Sequence, residues 1–145
     1  MGARSKARKR ALDILFESEL QNLPPGGTLA ERRTRVEPPL NDYTVRLVEG
    51  VVAHLDEIDG LISACSSGWP LERMPAVDRN IVRIGVFELR HMDEVSTAVA
   101  LSEAVAMAAE LSTDDSAAFV NGLLAKIAGL SESDPPAHPT EKLVN

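Results

Sequence analysis

Aromatic residues are nearly missing from this chain: one Trp, one Tyr and three Phe among 145 residues, 3%. The core must therefore be aliphatic, built from Leu, Val, Ile and Ala. There is a single cysteine, Cys65, which excludes an internal disulfide and fits a reducing cytoplasm. No apolar run approaches the ~20 residues needed to cross a bilayer, so no membrane association is expected. The N-terminus is basic but has no apolar stretch with a small-residue cleavage site, which excludes a secretory signal. There are no internal repeats and no alternating strand pattern. No serine carries the glycine frame of a nucleophile elbow, and no glycine-rich loop is shaped to cradle phosphate.

Acids are missing from the first ten residues, and that absence carries the most information. Arg4, Lys6, Arg8, Lys9 and Arg10 give this head a charge of +5. Residues 11–145 hold the remaining ten cations against all twenty-two acids, a charge of −12. A positive head attracts a polyanion and a negative body repels one, so the expected partner is a nucleic acid strand held at one edge. A basic N-terminus is commonly a solvated extension. Here Arg4 and Arg8, and Lys6 and Arg10, are four apart and line up along a helix, and the segment runs into an amphipathic stretch without a Gly or Pro break. Cations at a helix start oppose the helix dipole, so this end either frays until an anion binds or has a role that outweighs the cost. If all five cations met phosphates of a single strand, log K would fall against log salt with a slope of about −3.5. That is a modest affinity, weakened further by the negative body, and a second protein is expected to help hold the strand.

At this length the chain is one ordinary domain. A first helix is expected over 3–21, ended by Pro24-Pro25-Gly26-Gly27, and a short second helix over 28–36 carrying Arg32, Arg33 and Arg35 and stopped by Pro38-Pro39. Asn41 or Asp42 then caps a long helical stretch to about residue 66, with Tyr43, Leu47, Val48, Val51, Val52, Leu55, Ile58, Leu61, Ile62 and Cys65 on its apolar stripe and Gly60 as the point of bending or division. Trp69 is read as a packing plug between bundles. Further helices are expected over about 76–92, where Gly85 permits close helix contact, over 98–111, and from the Thr113-Asp114-Asp115-Ser116 cap to about 129. The tail over 131–145, with three prolines and many polar residues, reads as disordered. The expected class is all-α, with a domain over 1–130.

Catalytic chemistry is not in view. His54, His91 and His138 are scattered along the chain. Glu88 and His91 match the Glu-x-x-His of di-iron bundles, but no second copy is present, so the match is read as chance and no metal or cofactor is expected. Asp114 and Asp115 are read as a helix cap rather than an acid–base pair. Cys65 lies on the apolar stripe as a small core residue. Phe16 has two readings, a platform on which a base stacks and an ordinary core aromatic.

Three stretches together resemble the NusB family of bacterial transcription antitermination factors. They are the arginine-rich start through Leu15-Phe16, the segment from Ala76-Val77-Asp78-Arg79 through Ile84 to Phe87-Glu88-Leu89, and Asp115-Ser116 followed by Phe119-Val120-Asn121-Gly122-Leu123-Leu124. With Ala100 to Ala109 between them, the similarity runs from Ala3 to about Ala128, and Leu111-Ser112-Thr113-Asp114-Asp115 has an actinobacterial style. The resemblance implies about seven helices in two packed three-helix sub-bundles. It implies binding of single-stranded boxA RNA from ribosomal operon leaders together with NusE, a small-subunit ribosomal protein, in an RNA polymerase elongation complex with other Nus factors. It assigns RNA contacts to Arg4, Lys6, Arg8, Lys9 and Arg10. It places Phe16, where the family often has Tyr, near both RNA and partner, Asp78 on the partner-facing side, and Asp115 near the RNA edge. Two alternatives stand beside it. One is the N-terminal domain of a ribosomal RNA cytosine methyltransferase, which needs a further catalytic domain. The other is a protein-interaction module or homodimer in which the basic head is incidental.

Overall fold

The computed structural model describes residues 2–35 and 40–130, so the Pro38-Pro39 stop and the tail over 131–145 lie outside the described residues. The described residues form seven α-helices and no strand: α1 (Ala3–Leu20), α2 (Leu29–Arg35), α3 (Asp42–Ala53), α4 (Leu55–Cys65), α5 (Ala76–His91), α6 (Thr97–Leu111) and α7 (Asp114–Ala128), with one 3-10 turn at Leu71–Arg73.

Local chemistry sets most of the boundaries. The Asn41 side chain accepts the Tyr43 amide at 2.7 Å to start α3, Ser96 accepts the Val99 amide to start α6, and Thr113 accepts the Ser116 amide at 3.0 Å to start α7. Asp114 and Asp115 fall in the first turn of α7, at the favourable end of its dipole. α1 has no such help. Gly2 precedes it with no side-chain cap and no acid sits in its first turn.

The expected division of the long helical stretch is real but lies elsewhere. The chain breaks at His54, which ends α3 and precedes α4, while Gly60 is buried inside α4. Val52, expected on the apolar stripe, is instead 44% exposed in the last turn of α3.

α5 is the spine. α1, α3 and α5 pack as one three-helix group, α5, α6 and α7 as another, and α4 lies against α5 and α7. The two expected sub-bundles thus share a helix. Ile81, Ile84 and Val86 of α5 are fully buried, and two glycines allow the close approaches. A Cβ on Gly85 would stand 2.7 Å from Leu124 of α7, and one on Gly50 of α3 would stand 2.1 Å from the Phe87 ring. Trp69 packs edge-on against Phe119 of α7, centroids 4.5 Å apart, as a plug between connector and bundle. Cys65 is buried, and burial pushes its thiol pKa up, so it behaves as an inert core residue.

Candidate nucleic-acid interface

The cationic head occupies about the first two turns of α1, and those turns are fixed to the bundle by polar bonds rather than left loose. Arg8 points inward. Its side chain is only 2% exposed, its Nε lies 2.9 and 3.0 Å from the two Glu88 carboxylate oxygens, and its Nη1 donates to Glu103 of α6 at 2.7 Å. Tyr43 of α3 donates its hydroxyl to the same Glu88 carboxylate. Burial, together with that bond, pushes the phenol pKa well above its ordinary value, so Tyr43 stays a donor throughout the physiological range. Ser5 donates to Glu103, and the Thr44 hydroxyl donates to the Ala7 carbonyl at 3.0 Å.

The opposite end of α1 is fixed by a second cluster. Glu19 takes hydrogen bonds from Arg79 at 2.5 Å and from the Asn80 amide at 3.0 Å, and an ion pair from Arg83 at 3.3 Å. Arg83 in turn forms a two-pronged pair with Asp59 of α4, both contacts at 2.9 Å. Burial alone would raise the Glu19 pKa, but the bonds from Arg79 and Asn80 and the charges of Arg79 and Arg83 outweigh it and hold the carboxyl below its usual range.

With both ends fixed, the outer face of α1 is presented rigidly. Lys6, Lys9, Arg10 and Asp13 recur at i, i+3, i+4 and i+7, which is one stripe of a helix. Lys6, Arg10 and Asp13 are exposed. Lys9 is partly exposed and forms an ion pair with Glu110 at the far end of α6, beside a shallow groove lined by Ala106 and Met107. Arg4 is exposed on another side, its guanidinium 4.7 Å from the centre of the Tyr43 ring. Beyond the head, Arg32 of α2 pairs with Glu17 at 2.6 Å, while Arg33 is exposed.

The expected site residues therefore divide. Lys6, Lys9 and Arg10 come together on one face, with Arg4 at its side. Arg8 does not join them: a guanidinium enclosed by the bundle and held by two carboxylates has no open face for a phosphate, so its role is to seat the helix. Asp78, expected on a partner-facing surface, is fully buried at the start of α5 and accepts the Ser116 hydroxyl of α7 at 2.7 Å. It ties two helix starts together and touches no outer surface. Phe16 is partly exposed on α1, and Asp115 is exposed in the first turn of α7. Sequence reasoning missed Glu88, Glu103 and Glu110, the acids that receive the head. A signal for Glu88 was present, since it stands four residues after Ile84 on the buried side of α5 and a carboxylate there requires a cationic partner. Among the described residues no helix is long and apolar enough to cross a membrane.

Comparison with known proteins converges on one family. The family model described as NusB matches residues 5–129. The transcription antitermination protein NusB of Salinispora arenicola is 54% identical over 131 residues, spanning 88% of this chain and 96% of that protein. Among solved structures, the T. maritima NusB superposes with a TM-score of 0.76 at 28% identity, covering 99% of both chains. A chain in the crystal structure of antitermination factors NusB and NusE in complex with dsRNA superposes with a TM-score of 0.74 at 28% identity, covering 86% of this chain and 95% of that one.

Proposed function

This chain belongs to the NusB family, and on that premise we propose that it is a transcription antitermination factor that grips leader RNA along the outer face of α1. The RNA is boxA of ribosomal operon leaders, held jointly with NusE within the RNA polymerase elongation complex. The observation that carries the reading is the polarity of the molecule: a rigid row of Lys6, Lys9 and Arg10 on a chain whose other residues are strongly acidic. Such a row attracts phosphate by charge and counterion release, and arginine adds forked donors. The acidic remainder keeps the strand at that edge. Phe16, farther along α1, offers a ring for a base or for the partner protein. Asp115 sets a repulsive limit to the RNA edge.

The chemistry required is binding, not turnover. The site offers no activated nucleophile and no acid–base pair aimed at a common point. The matched relative carries the antitermination name along nearly its whole length, which favours this reading over a methyltransferase domain. The work is placed in the cytoplasm, where nascent transcripts are.

With Arg8 enclosed, four cations remain to meet phosphate, and the expected salt slope for a single strand is about −2.8. The test is a binding titration of the full chain against a boxA strand and a scrambled strand, with and without NusE, across a range of salt. Preference for boxA that NusE strengthens, with a slope near that value, supports the reading. Equal binding of both strands with NusE present overturns it.

A further inference from the structure

We propose that the elbow between α3 and α4, together with the last residue of α5, is a binding site for a divalent transition-metal ion of the zinc class, held by His54, Glu57 and His91. The two histidines are far apart in sequence, but the break at His54 and the end of α5 bring them face to face, ring centroids 3.8 Å apart and planes 19° from parallel. Glu57 lies one helical turn after His54. Its Oε1 is 2.8 Å from His91 Nε2 and 3.6 Å from His54 Nδ1. One donor atom from each residue lies within 4.8 Å of the others.

That spacing suits a small tetrahedral ion. Donors about 2.0–2.1 Å from zinc stand roughly 3.4 Å from one another. The two contacts to Glu57 bracket this value, and the two imidazole nitrogens lie within 4.8 Å of each other. As the rings lie, their in-plane lone pairs run side by side, so ligation requires one ring to turn. His54 is free to do so, because its side chain is 42% exposed and the more open of the two. The other Glu57 oxygen, Oε2, faces Arg90 Nε at 4.0 Å, so the anchoring cation takes one carboxylate oxygen and leaves Oε1 toward the imidazoles. Phe87 lies beneath both rings, 6.0 and 5.7 Å away, as an apolar floor.

Two imidazoles and one carboxylate select against magnesium and calcium, which require oxygen donors. The open side leaves room for water to complete the coordination. An ion there would cross-link the α3–α4 elbow to the end of α5.

The test is a calorimetric titration of the full chain with zinc chloride, paired with thermal unfolding. The expected result is one ion per chain with micromolar affinity, a rise in Tm with zinc, and no heat with magnesium chloride. Glu57→Gln and His91→Ala each weaken binding by at least about tenfold and abolish the Tm rise, while His138→Ala changes neither. Should His91→Ala fail to fold by circular dichroism, the isosteric Glu57→Gln decides alone. Absence of saturable binding, binding that survives Glu57→Gln, or binding abolished by His138→Ala overturns the proposal.

Discussion

α1 is anchored at both ends, and the two anchors have opposite sign. Near its start a buried cation, Arg8, is surrounded by Glu88, Glu103 and the Tyr43 hydroxyl. Near its finish an acid, Glu19, is surrounded by Arg79, Asn80 and Arg83. At the start, the bundle supplies acids and the helix supplies more cations than those acids consume, so Lys6 and Arg10 remain on the surface. At the finish, the cations of α5 are drawn into the cluster. The same kind of polar anchor therefore leaves a cationic surface at one end and spends its charge internally at the other. The anchor also answers the helix-dipole problem at the start of α1, because the anions that receive these cations come from α5 and α6 of the protein itself.

The sharpest way to break this comparison is Glu88→Ala, which leaves the buried Arg8 with Glu103 alone and removes the acceptor of Tyr43. Loss of one member of a buried ion pair costs about 3–5 kcal/mol, measured by urea unfolding. A loss under about 1 kcal/mol, typical of an exposed pair, would show that the first anchor is solvated. Glu19→Gln tests the second anchor, which is less enclosed, and should cost about 1–3 kcal/mol. Its pH dependence has a fixed sign. A carboxyl whose folded pKa is depressed stabilises the fold above the ordinary glutamate value near 4.3, and that contribution is lost as pH falls through the folded pKa. Acid unfolding curves of Glu19→Gln should therefore be shallower below about pH 4 than those of the unchanged protein. Parallel curves would remove Glu19 from the anchor.

Three variants probe the surfaces left by the anchors. Lys6→Ala with Arg10→Ala should weaken RNA binding and flatten the salt slope by about 1.4, with stability unchanged within about 0.5 kcal/mol. An unchanged slope in filter-binding titrations would place the contact elsewhere. Glu110→Gln releases Lys9 from an exposed ion pair worth about 0.2–1 kcal/mol, so RNA affinity should rise by roughly fivefold at most; a fall in affinity would show that the pair positions Lys9 for RNA. Asp115→Asn should have the smallest effect, a tightening of about twofold to threefold at low salt that fades as salt rises. The α7 cap survives this change, because Thr113 and not Asp115 accepts the Ser116 amide. Weaker binding with intact helicity would set Asp115 apart from the RNA edge.

Much of the fold was legible because its signals are local. The Asn41, Thr113 and Gly85 readings depend on one turn or one close approach, and each is met in the structure. The cationic head was legible as a count of charges, but not as a surface. A run of charges does not say which members face inward, and Arg8 was read with its neighbours. Its register gave a clue, since it sits between Ala7 and the buried Ala11 and Leu12. Asp78 was placed on the partner-facing side by the family resemblance alone; a carboxylate is costly to bury, and the tertiary contact with Ser116 of α7, which no local pattern announces, accounts for its burial. The break at His54 was invisible because His54 is no helix breaker, and its place is set by packing against Phe87 and His91. Gly60 drew attention by intrinsic propensity, which tertiary packing overrode.

The sharing of α5 between both helix groups has a further result for how the molecule opens. A protein made of two separate bundles could shed one and keep the other, but here removing either group strips a wall from the same central rod. Unfolding is therefore expected to be a single cooperative event, with amide protons in the middle of α5 exchanging with solvent only on global opening. Those of α2, a helix of only seven residues, are expected to exchange through local fluctuations well before that.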